Sequence, residues 1–247
     1  MYMTAYRLLR LCLHLLVGLW VSTAIFPWIG SAGREARIRR WSAALLKICG
    51  IRFDMRLVDG VSLAPRALIV ANHVSWLDIF VICALRPCRF VAKSDIRDWP
   101  LIGRLSERVG TIFIARGKLR EVRRIFEGLT TAIYAGEHVA FFPEGTTAAQ
   151  GVLLPFHPNL FEAAIDAQVP VQPYALRYVD GQGQAHAAAD FIGDMTFISS
   201  VLTIIRARHI TAHLTVLPVI DSNGSHRREL ADAARRSIAS ALGHSLD

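Results

Sequence analysis

A histidine and an aspartate stand five positions apart, at a place where the chain could carry out proton-transfer chemistry. The segment 72–78 reads Asn-His-Val-Ser-Trp-Leu-Asp, and it directly follows the apolar run 67–71, which is typical of a buried strand. The end of a strand that leads into a helix is where α/β proteins place reactive groups. With His73 in the loop and Asp78 in the first helical turn, the carboxylate could accept the Nδ1 proton, which would leave Nε2 as a general base.

Simpler explanations for the same residues stay open at this point. Ser75 and Asp78 have the spacing of a helix capping box, and an aspartate at a helix N-terminus is also favoured by the helix dipole. His73 alone could be an ordinary loop histidine. Ser75 is the hydroxyl nearest to His73 in the sequence, but we do not expect it to act as a covalent nucleophile.

A second polar segment follows the apolar run 139–142. It reads Phe-Pro-Glu-Gly-Thr over residues 142–146. One interpretation is a plain turn at the end of a strand. The functional alternative is a loop whose backbone N–H groups, together with Thr146, bind a polar headgroup. In that case Glu144 would order basic residues or a substrate hydroxyl.

Basic residues concentrate between these two segments. Residues 89–124 contain ten basic and four acidic side chains, a net charge of +6. Arg116 follows the predicted strand 111–114 and could hold a phosphate through its planar guanidinium group. A solvated arginine at a strand end is the alternative. The surplus of positive charge suits a phosphate-bearing ligand, an anionic membrane, or both.

Missing motifs disfavour several classes of protein. The sequence contains no Gly-x-Ser-x-Gly elbow, no phosphate-binding P-loop, no His-Glu-x-x-His and no Gly-x-Gly-x-x-Gly after a strand. It also lacks the usual nucleic-acid-binding signatures, so we expect no nucleic-acid partner despite the net charge of +8. His209 and His213 fall in a strand-like segment, and we expect no metal. We interpret the four cysteines as small buried apolar residues in a reducing compartment: Cys12, Cys49, Cys83 and Cys88.

The first 50 residues have the composition of a membrane anchor. Residues 11–29 carry no formal charge and would form a helix about 28 Å long, close to one hydrocarbon thickness. A cleavable signal peptide is the alternative, but the run is long for one and ends in Phe26-Pro27-Trp28, which suits a membrane interface. Residues 34–49 predict a basic amphipathic helix. Together the two predict a helical hairpin that lies in one leaflet, with its basic side towards the cytoplasm.

The rest of the chain alternates between strands and helices, which indicates an α/β fold. We therefore expect an anchor over residues 1–50 and one α/β domain over residues 51–247. Strands are predicted at 67–71, 89–92, 111–114, 139–142, 171–178 and 213–219. Helices are predicted at 77–85, 119–135, 160–167 and 225–242. Ser225 is the expected N-cap of the last helix, and Gly243 lies just past its end.

Four ordered blocks in the sequence resemble the glycerolipid (lysophosphatidate-type) acyltransferase family. The first is the Asn-His-x4-Asp segment 72–78, the third is the segment 142–146, and the fourth is the Pro-Val-x-Pro stretch within 169–173. The second block consists of dispersed positions: Lys93, Pro100, Gly103, Gly110 and Arg116. The resemblance is strong over residues 65–180 and weaker towards the end of the chain.

The resemblance implies a mixed sheet flanked by helices and a one-step acyl transfer. His73 would act as general base on the acceptor hydroxyl and Asp78 would hold its ring. The acceptor would be bound by five residues: Lys93, Arg116, Glu144, Gly145 and Thr146. The acyl donor would be a thioester of coenzyme A or acyl carrier protein, without a metal, a further cofactor or a covalent acyl-enzyme. The expected acceptor is the sn-2 hydroxyl of 1-acylglycerol-3-phosphate, and the expected location is the cytoplasmic face of a bacterial inner membrane.

Two departures from the family pattern bear on the acceptor. Thr147-Ala148 stand where the family usually has Arg-Ser, and His157 and Asn159 stand where Lys and Gly are common. Another lysolipid, such as a lyso-aminolipid, is therefore an alternative acceptor. A non-catalytic membrane-bound module is a further alternative, which the intact pair of His73 and Asp78 disfavours.

Overall fold

The computed structural model describes residues 2–99, 101–114 and 119–245, with side chains throughout except at 114 and 119–125. These ranges contain eight α-helices: α1 (Tyr2–Ala24), α2 (Ser31–Cys49), α3 (Asp78–Leu85), α4 (Ile102–Arg108), α5 (Leu119–Tyr134), α6 (Glu162–Asp166), α7 (Phe197–Arg206) and α8 (Arg227–Leu242). The same ranges contain seven strands: β1 (Ile51–Leu57), β2 (Leu68–Ala71), β3 (Arg89–Lys93), β4 (Ile112–Ile114), β5 (Val139–Phe141), β6 (Val171–Val179) and β7 (Ile210–Val216).

All seven strands form one mixed sheet in the order β1-β7-β6-β2-β5-β3-β4. Only the β6–β7 pairing is antiparallel. In the centre, β2 lies parallel to both neighbours, with Leu68 opposite Val139 of β5 and Val171 of β6. The predicted α/β fold with a mixed sheet and flanking helices is confirmed. Because β2 and β5 are parallel neighbours, the loops that follow them begin at the same edge of the sheet.

Helices cover both faces of the sheet. One face carries α1, α2, α3 and α7, which contribute residues such as Leu45, Val81 and Ile204 to the core. The other face carries α5, α6 and α8, which contribute residues such as Leu129 and Leu230. All residues of β2 are buried because the strand has neighbours on both sides and helices on both faces. This explains why its sequence is uninterruptedly apolar.

The predicted N-terminal hairpin is present and is held by a histidine–tryptophan contact. The rings of His14 on α1 and Trp41 on α2 stack with centroids 4.6 Å apart. His14 Nε2 lies 2.9 Å from the Trp41 carbonyl oxygen, and Trp41 Nε1 donates to the His14 carbonyl at 3.1 Å. A Cβ atom at Gly18 would lie 2.7 Å from Trp41 Nε1, so only glycine permits this close approach. Arg7 further ties α1 to the domain by donating to the carbonyl of Ile205 on α7.

The outer face of α1 is apolar and faces away from the domain. Tyr2–Trp28 is the one stretch within the described residues that is long and apolar enough to cross a membrane, and 17% of its most apolar window is buried. Leu11 packs into the core, whereas Leu13, Val17 and Trp20 are more than half exposed. The prediction that all four cysteines are buried is confirmed for Cys49 and Cys83. It was wrong for Cys12, which is exposed on the outward side of α1, and Cys88 is only partly buried.

Several predicted boundaries require correction. The N-cap of α8 is His226 rather than Ser225, because the His226 side chain and Glu229 form a reciprocal capping box. Gly243 ends α8 in the left-handed conformation with φ 73°, as predicted. The late strand ends at Val216 rather than at Val219, and Pro218 lacks the N–H group that a continued strand would need. The strand β1 and the helices α4 and α7 were not predicted from the sequence.

The exposed face of α1 predicts the behaviour of charged substitutions. We expect the double variant Leu13→Glu/Val17→Glu to lose at least about tenfold in partitioning to phospholipid vesicles, because a carboxylate cannot enter the hydrocarbon without a large desolvation cost. Val152→Glu is the matched control, since Val152 is 54% exposed and Val17 is also 54% exposed. Co-sedimentation with vesicles measures the effect. Equal binding by the two variants would show that this face does not meet lipid.

Candidate functional site

The loops after β2 and β5 meet at the edge of the sheet where both strands end. The Glu144 carboxylate accepts a hydrogen bond from the backbone N–H of His73 at 2.7 Å. The backbone N–H of Ala148 donates to the His73 carbonyl at 2.8 Å. Two polar segments that are 71 residues apart in the sequence are therefore joined directly through the backbone of His73.

The structure brings the side chains of His73 and Asp78 together. His73 Nδ1 lies 2.8 Å from Asp78 Oδ2. The same oxygen accepts the backbone N–H groups of Val74 at 2.7 Å and Ser75 at 2.9 Å, and Asp78 is fully buried. An ionised carboxylate can only accept hydrogen bonds, so the proton of the imidazole lies on Nδ1. Nε2 has no hydrogen-bond partner among the described residues and is the basic nitrogen of the ring.

A tyrosine from the centre of the sheet completes the environment of Asp78. The hydroxyl of Tyr178 on β6 donates to Asp78 Oδ1 at 2.6 Å. Burial, reinforced by the negative charge of Asp78, raises the pKa of Tyr178 well above its usual value, so the phenol keeps its proton. The sequence analysis placed Tyr178 at the end of a strand without a role, since nothing in the local pattern indicates a partner 100 residues away.

An aromatic layer fixes the plane of the imidazole. The rings of His73 and Phe142 stack with centroids 3.9 Å apart and an interplanar angle of 6°. Phe142 stacks in turn on Phe90, with centroids 5.6 Å apart. The histidine is thus held by a carboxylate at Nδ1 and by an apolar ring on one face, so its orientation is restricted in two directions.

The described parts of the site reveal a structural role for Glu144. Its carboxyl group is buried, and its second oxygen accepts the backbone N–H of Leu154 at 2.8 Å. Burial raises the pKa of Glu144, while the N–H groups of His73 and Leu154 oppose that shift. The expected ordering of basic side chains is not seen among the described residues, because the carboxylate instead holds two backbone segments. A direct contact of Glu144 with a ligand stays a prediction.

The next two residues form an open turn beside the histidine. Gly145 has φ 69°, and a Cβ atom there would lie 3.3 Å from the ring of His157. Gly145 and Thr146 are both exposed. Glycine is therefore needed at this turn, and the Thr146 hydroxyl is accessible to a ligand from solvent.

Of the two predicted basic residues, the structure describes only one. Lys93 is the last residue of β3 and is partly exposed. Because β3 lies next to β5 and runs parallel to it, Lys93 lies at the same edge of the sheet as the histidine loop. Arg116 lies outside the described residues, as does Pro100. Within the described ranges, no group of three or more histidine, cysteine, aspartate or glutamate residues could hold a metal ion.

Two further residues of the first loop have roles that spacing did not specify. The side chain of Asn72 accepts the N–H of Leu176 at 2.7 Å and donates to its carbonyl at 2.9 Å, which continues the sheet beyond the end of β2. The hydroxyl of Ser75 is buried without a hydrogen-bond partner in the described structure. Half of the predicted capping box is therefore present: the Asp78 carboxylate accepts the backbone N–H of Ser75, whereas the Ser75 hydroxyl caps no N–H group in the described structure.

Together these contacts make a proton acceptor without an adjacent nucleophile. Nε2 of His73 accepts or donates no hydrogen bond within the described part of the chain, its partner nitrogen is held by a buried carboxylate, and the Ser75 hydroxyl is fully buried. Such an arrangement can remove a proton from a hydroxyl group that a substrate brings to the site.

Comparison with known proteins gives a consistent result. Residues 54–177 match the sequence model of a family described as Acyltransferase. A lyso-ornithine lipid O-acyltransferase from Pseudomonas aeruginosa is 38% identical over 238 residues, which cover 96% of this chain and 91% of that protein. A 1-acyl-sn-glycerol-3-phosphate acyltransferase from Neisseria meningitidis is 35% identical over 181 residues, which cover 73% of this chain and 71% of that protein.

A solved structure shares the fold. The crystal structure of a 1-acyl-sn-glycerophosphate acyltransferase from Thermotoga maritima superposes with a TM-score of 0.61, covering 98% of this chain and all of that one. The two sequences are 17% identical, so this likeness concerns the fold.

The two buried tyrosines of β6 provide a matched pair for testing the Asp78 environment. Tyr178→Phe leaves Asp78 Oδ1 without a donor, and we expect it to destabilise the protein by roughly 1–3 kcal/mol. Tyr174 is equally buried, but its hydroxyl has no hydrogen-bond partner in the described structure. Tyr174→Phe should therefore be neutral or stabilising. Denaturant unfolding in detergent measures both free energies, and equal losses for the two variants would contradict the assigned hydrogen bond.

Proposed function

This chain belongs to the acyltransferase family and acylates lysolipids, and we propose that its acceptor is a lyso-ornithine lipid, whose free hydroxyl it esterifies with a fatty acyl chain. The observation that carries this choice is the extent of similarity. The lyso-ornithine lipid acyltransferase matches over nearly the whole of both chains, whereas the glycerophosphate acyltransferase matches over about three quarters. The acceptor expected from the sequence, 1-acylglycerol-3-phosphate, is the second candidate. The acyltransferase named for that acceptor is 35% identical to this chain over the region they share, against 38% for the lyso-ornithine lipid acyltransferase.

The proposed reaction is a direct transfer from a thioester. Nε2 of His73 takes the proton of the acceptor hydroxyl, and the oxygen attacks the carbonyl carbon of the acyl thioester. The carbon–sulfur bond then breaks, and the thiolate of coenzyme A or acyl carrier protein receives the proton from His73. One ester bond forms and one thioester bond breaks, so the reaction balances without a metal or a further cofactor.

Asp78 has an electrostatic role in this proposal. When Nε2 takes the proton, His73 becomes an imidazolium ion next to the buried carboxylate, which stabilises the positive charge. The three other donors to Asp78 fix its position, so the carboxylate need not reorient during the reaction. Glu144 acts indirectly, since it holds the backbone of His73 rather than its ring.

The proposed acceptor-binding residues combine groups at the edge of the sheet with an arginine that only the family resemblance indicates. We assign the open turn of Gly145 and Thr146, together with Lys93 and Arg116, to contacts with the polar part of the acceptor. Thr147 supports an acceptor other than a phosphate monoester. Its hydroxyl donates to the carbonyl of Phe191, at the position where the family resemblance leads us to expect an arginine.

The proposed location is the membrane, because both substrates carry long acyl chains and the outer face of α1 is apolar. The cytoplasmic face of a bacterial inner membrane suits the thioester donors and the basic residues of α2.

Acceptor profiling tests the proposal. In detergent, with acyl-CoA and acyl carrier protein each as donor, the wild type should acylate lyso-ornithine lipid with a kcat/KM at least about tenfold above that for 1-acylglycerol-3-phosphate, since each 1.4 kcal/mol of preference is tenfold. We expect His73→Ala to lower kcat roughly 100- to 10,000-fold with either acceptor.

His209→Asn is the control for this variant. His209 is exposed and has φ 59°, a conformation that asparagine tolerates. Its activity should match that of the wild type. A clear preference for the phosphate monoester would transfer the assignment to the second candidate, and full activity of a folded His73→Ala protein would contradict the mechanism.

A further inference from the structure

His157 lies against the turn that follows β5, and the same turn holds His73. The backbone N–H of His157 donates to the carbonyl of Pro143 at 2.8 Å. In that turn the ring of Phe142 stacks on the ring of His73 with centroids 3.9 Å apart, and the Glu144 carboxylate accepts the backbone N–H of His73. His157 is therefore joined to the proposed base through one short stretch of chain.

The imidazole of His157 packs on the turn of Gly145 and Thr146, to which we assign the polar part of the acceptor. A Cβ atom at Gly145 would lie 3.3 Å from Cδ2 and 3.6 Å from Nε2 of His157. The ring thus lies beside the backbone of this turn. His157, Gly145 and Thr146 are all exposed, so a ligand that reaches the turn from solvent also reaches the imidazole.

The ring nitrogens of His157 are available to such a ligand. Within the described part of the chain, no residue forms a hydrogen bond or an ion pair with them. The nearby Glu144 carboxylate does not compete for them, because each of its oxygens accepts a backbone N–H group. An imidazole presents one N–H donor when it is neutral and two when it is protonated, so it can bind an anionic oxygen in either state.

We propose that His157 donates a hydrogen bond to the anionic group of the acceptor headgroup and thereby contributes to the acceptor preference of the enzyme. This inference rests on the proposed function. Ornithine that is linked through its α-amine keeps one carboxylate and one ammonium group, so its headgroup has no net charge, whereas a phosphate monoester carries nearly two negative charges at neutral pH. A neutral imidazole donor suits the single carboxylate, and the full positive charge of a lysine at this position would instead favour the phosphate.

The test measures kcat and KM for lyso-ornithine lipid and for 1-acylglycerol-3-phosphate, with acyl-CoA as donor. We expect His157→Lys to raise the kcat/KM for the phosphate monoester relative to that for lyso-ornithine lipid roughly fivefold or more, because a charged donor forms the stronger hydrogen bond with the phosphate. We expect His157→Ala to raise the KM for both acceptors about tenfold, with little change in kcat or in the KM for acyl-CoA, because it removes a donor that binds the acceptor without taking part in the reaction.

Gln182→Lys is the matched control, because Gln182 is exposed in the turn after β6 and the substitution adds the same charge there. It should keep the wild-type ratio. A ratio that His157→Lys leaves unchanged, or a rise in the KM for acyl-CoA in place of the acceptors, would overturn the inference. So would a His157→Ala protein that loses kcat at an unchanged KM, because that result would indicate a role in holding the turn. A wild type that prefers the phosphate monoester would refute the proposed acceptor, and the ratios of the two lysine variants would still decide the role of His157.

Discussion

The rest of the site depends on the hydrogen bonds that the buried Asp78 carboxylate accepts. A buried, unpaired charge would cost several kcal/mol, and four donors from two separate parts of the chain offset that cost. These four hydrogen bonds fix the loop after β2, the first turn of α3, the ring of His73 and the position of Tyr178 on β6. In the proposed reaction the same contacts set the direction of proton transfer, since a carboxylate at Nδ1 leaves Nε2 as the base.

The strand pairing brings these groups together, and aromatic packing links them to the N-terminal helical hairpin. Parallel pairing of β2 with β5 makes the two polar loops neighbours, and Glu144 locks them through the backbone of His73. A series of aromatic contacts connects the hairpin to the same loop: Trp41 of α2 meets Phe80 of α3 with centroids 5.8 Å apart, and Phe80 meets Trp76 at 5.9 Å. The proposed base and the proposed membrane anchor therefore belong to one continuous packed region.

Local patterns in the sequence predict the parts of this arrangement that depend on nearby residues. The apolar strand β2 and the amphipathic α2 follow from spacing within a few residues. The approach of His73 to Asp78 was one of several interpretations that spacing left open, and the family resemblance favoured it. Tyr178 and Asn72 could not be assigned in this way, because their partners lie about 100 residues away and become neighbours only when β6 pairs with β2. The strand β1 carries the alternation of apolar and charged residues that is typical of a half-buried strand at a sheet edge, so a local signal for it was present and was not recognised.

The tautomer of His73 is the most direct test of the role that we propose for Asp78. We would label the histidine nitrogens with ¹⁵N, identify the His73 signals by their loss in a His73→Gln variant, and compare the wild type with Asp78→Asn. We expect a protonated Nδ1 and an unprotonated, basic Nε2 in the neutral wild-type ring, and a mixture of tautomers when Asp78 is replaced. A wild-type ring that carries its proton on Nε2 would contradict the proposed mechanism, because the nitrogen that must accept the proton of the acceptor would then be unavailable.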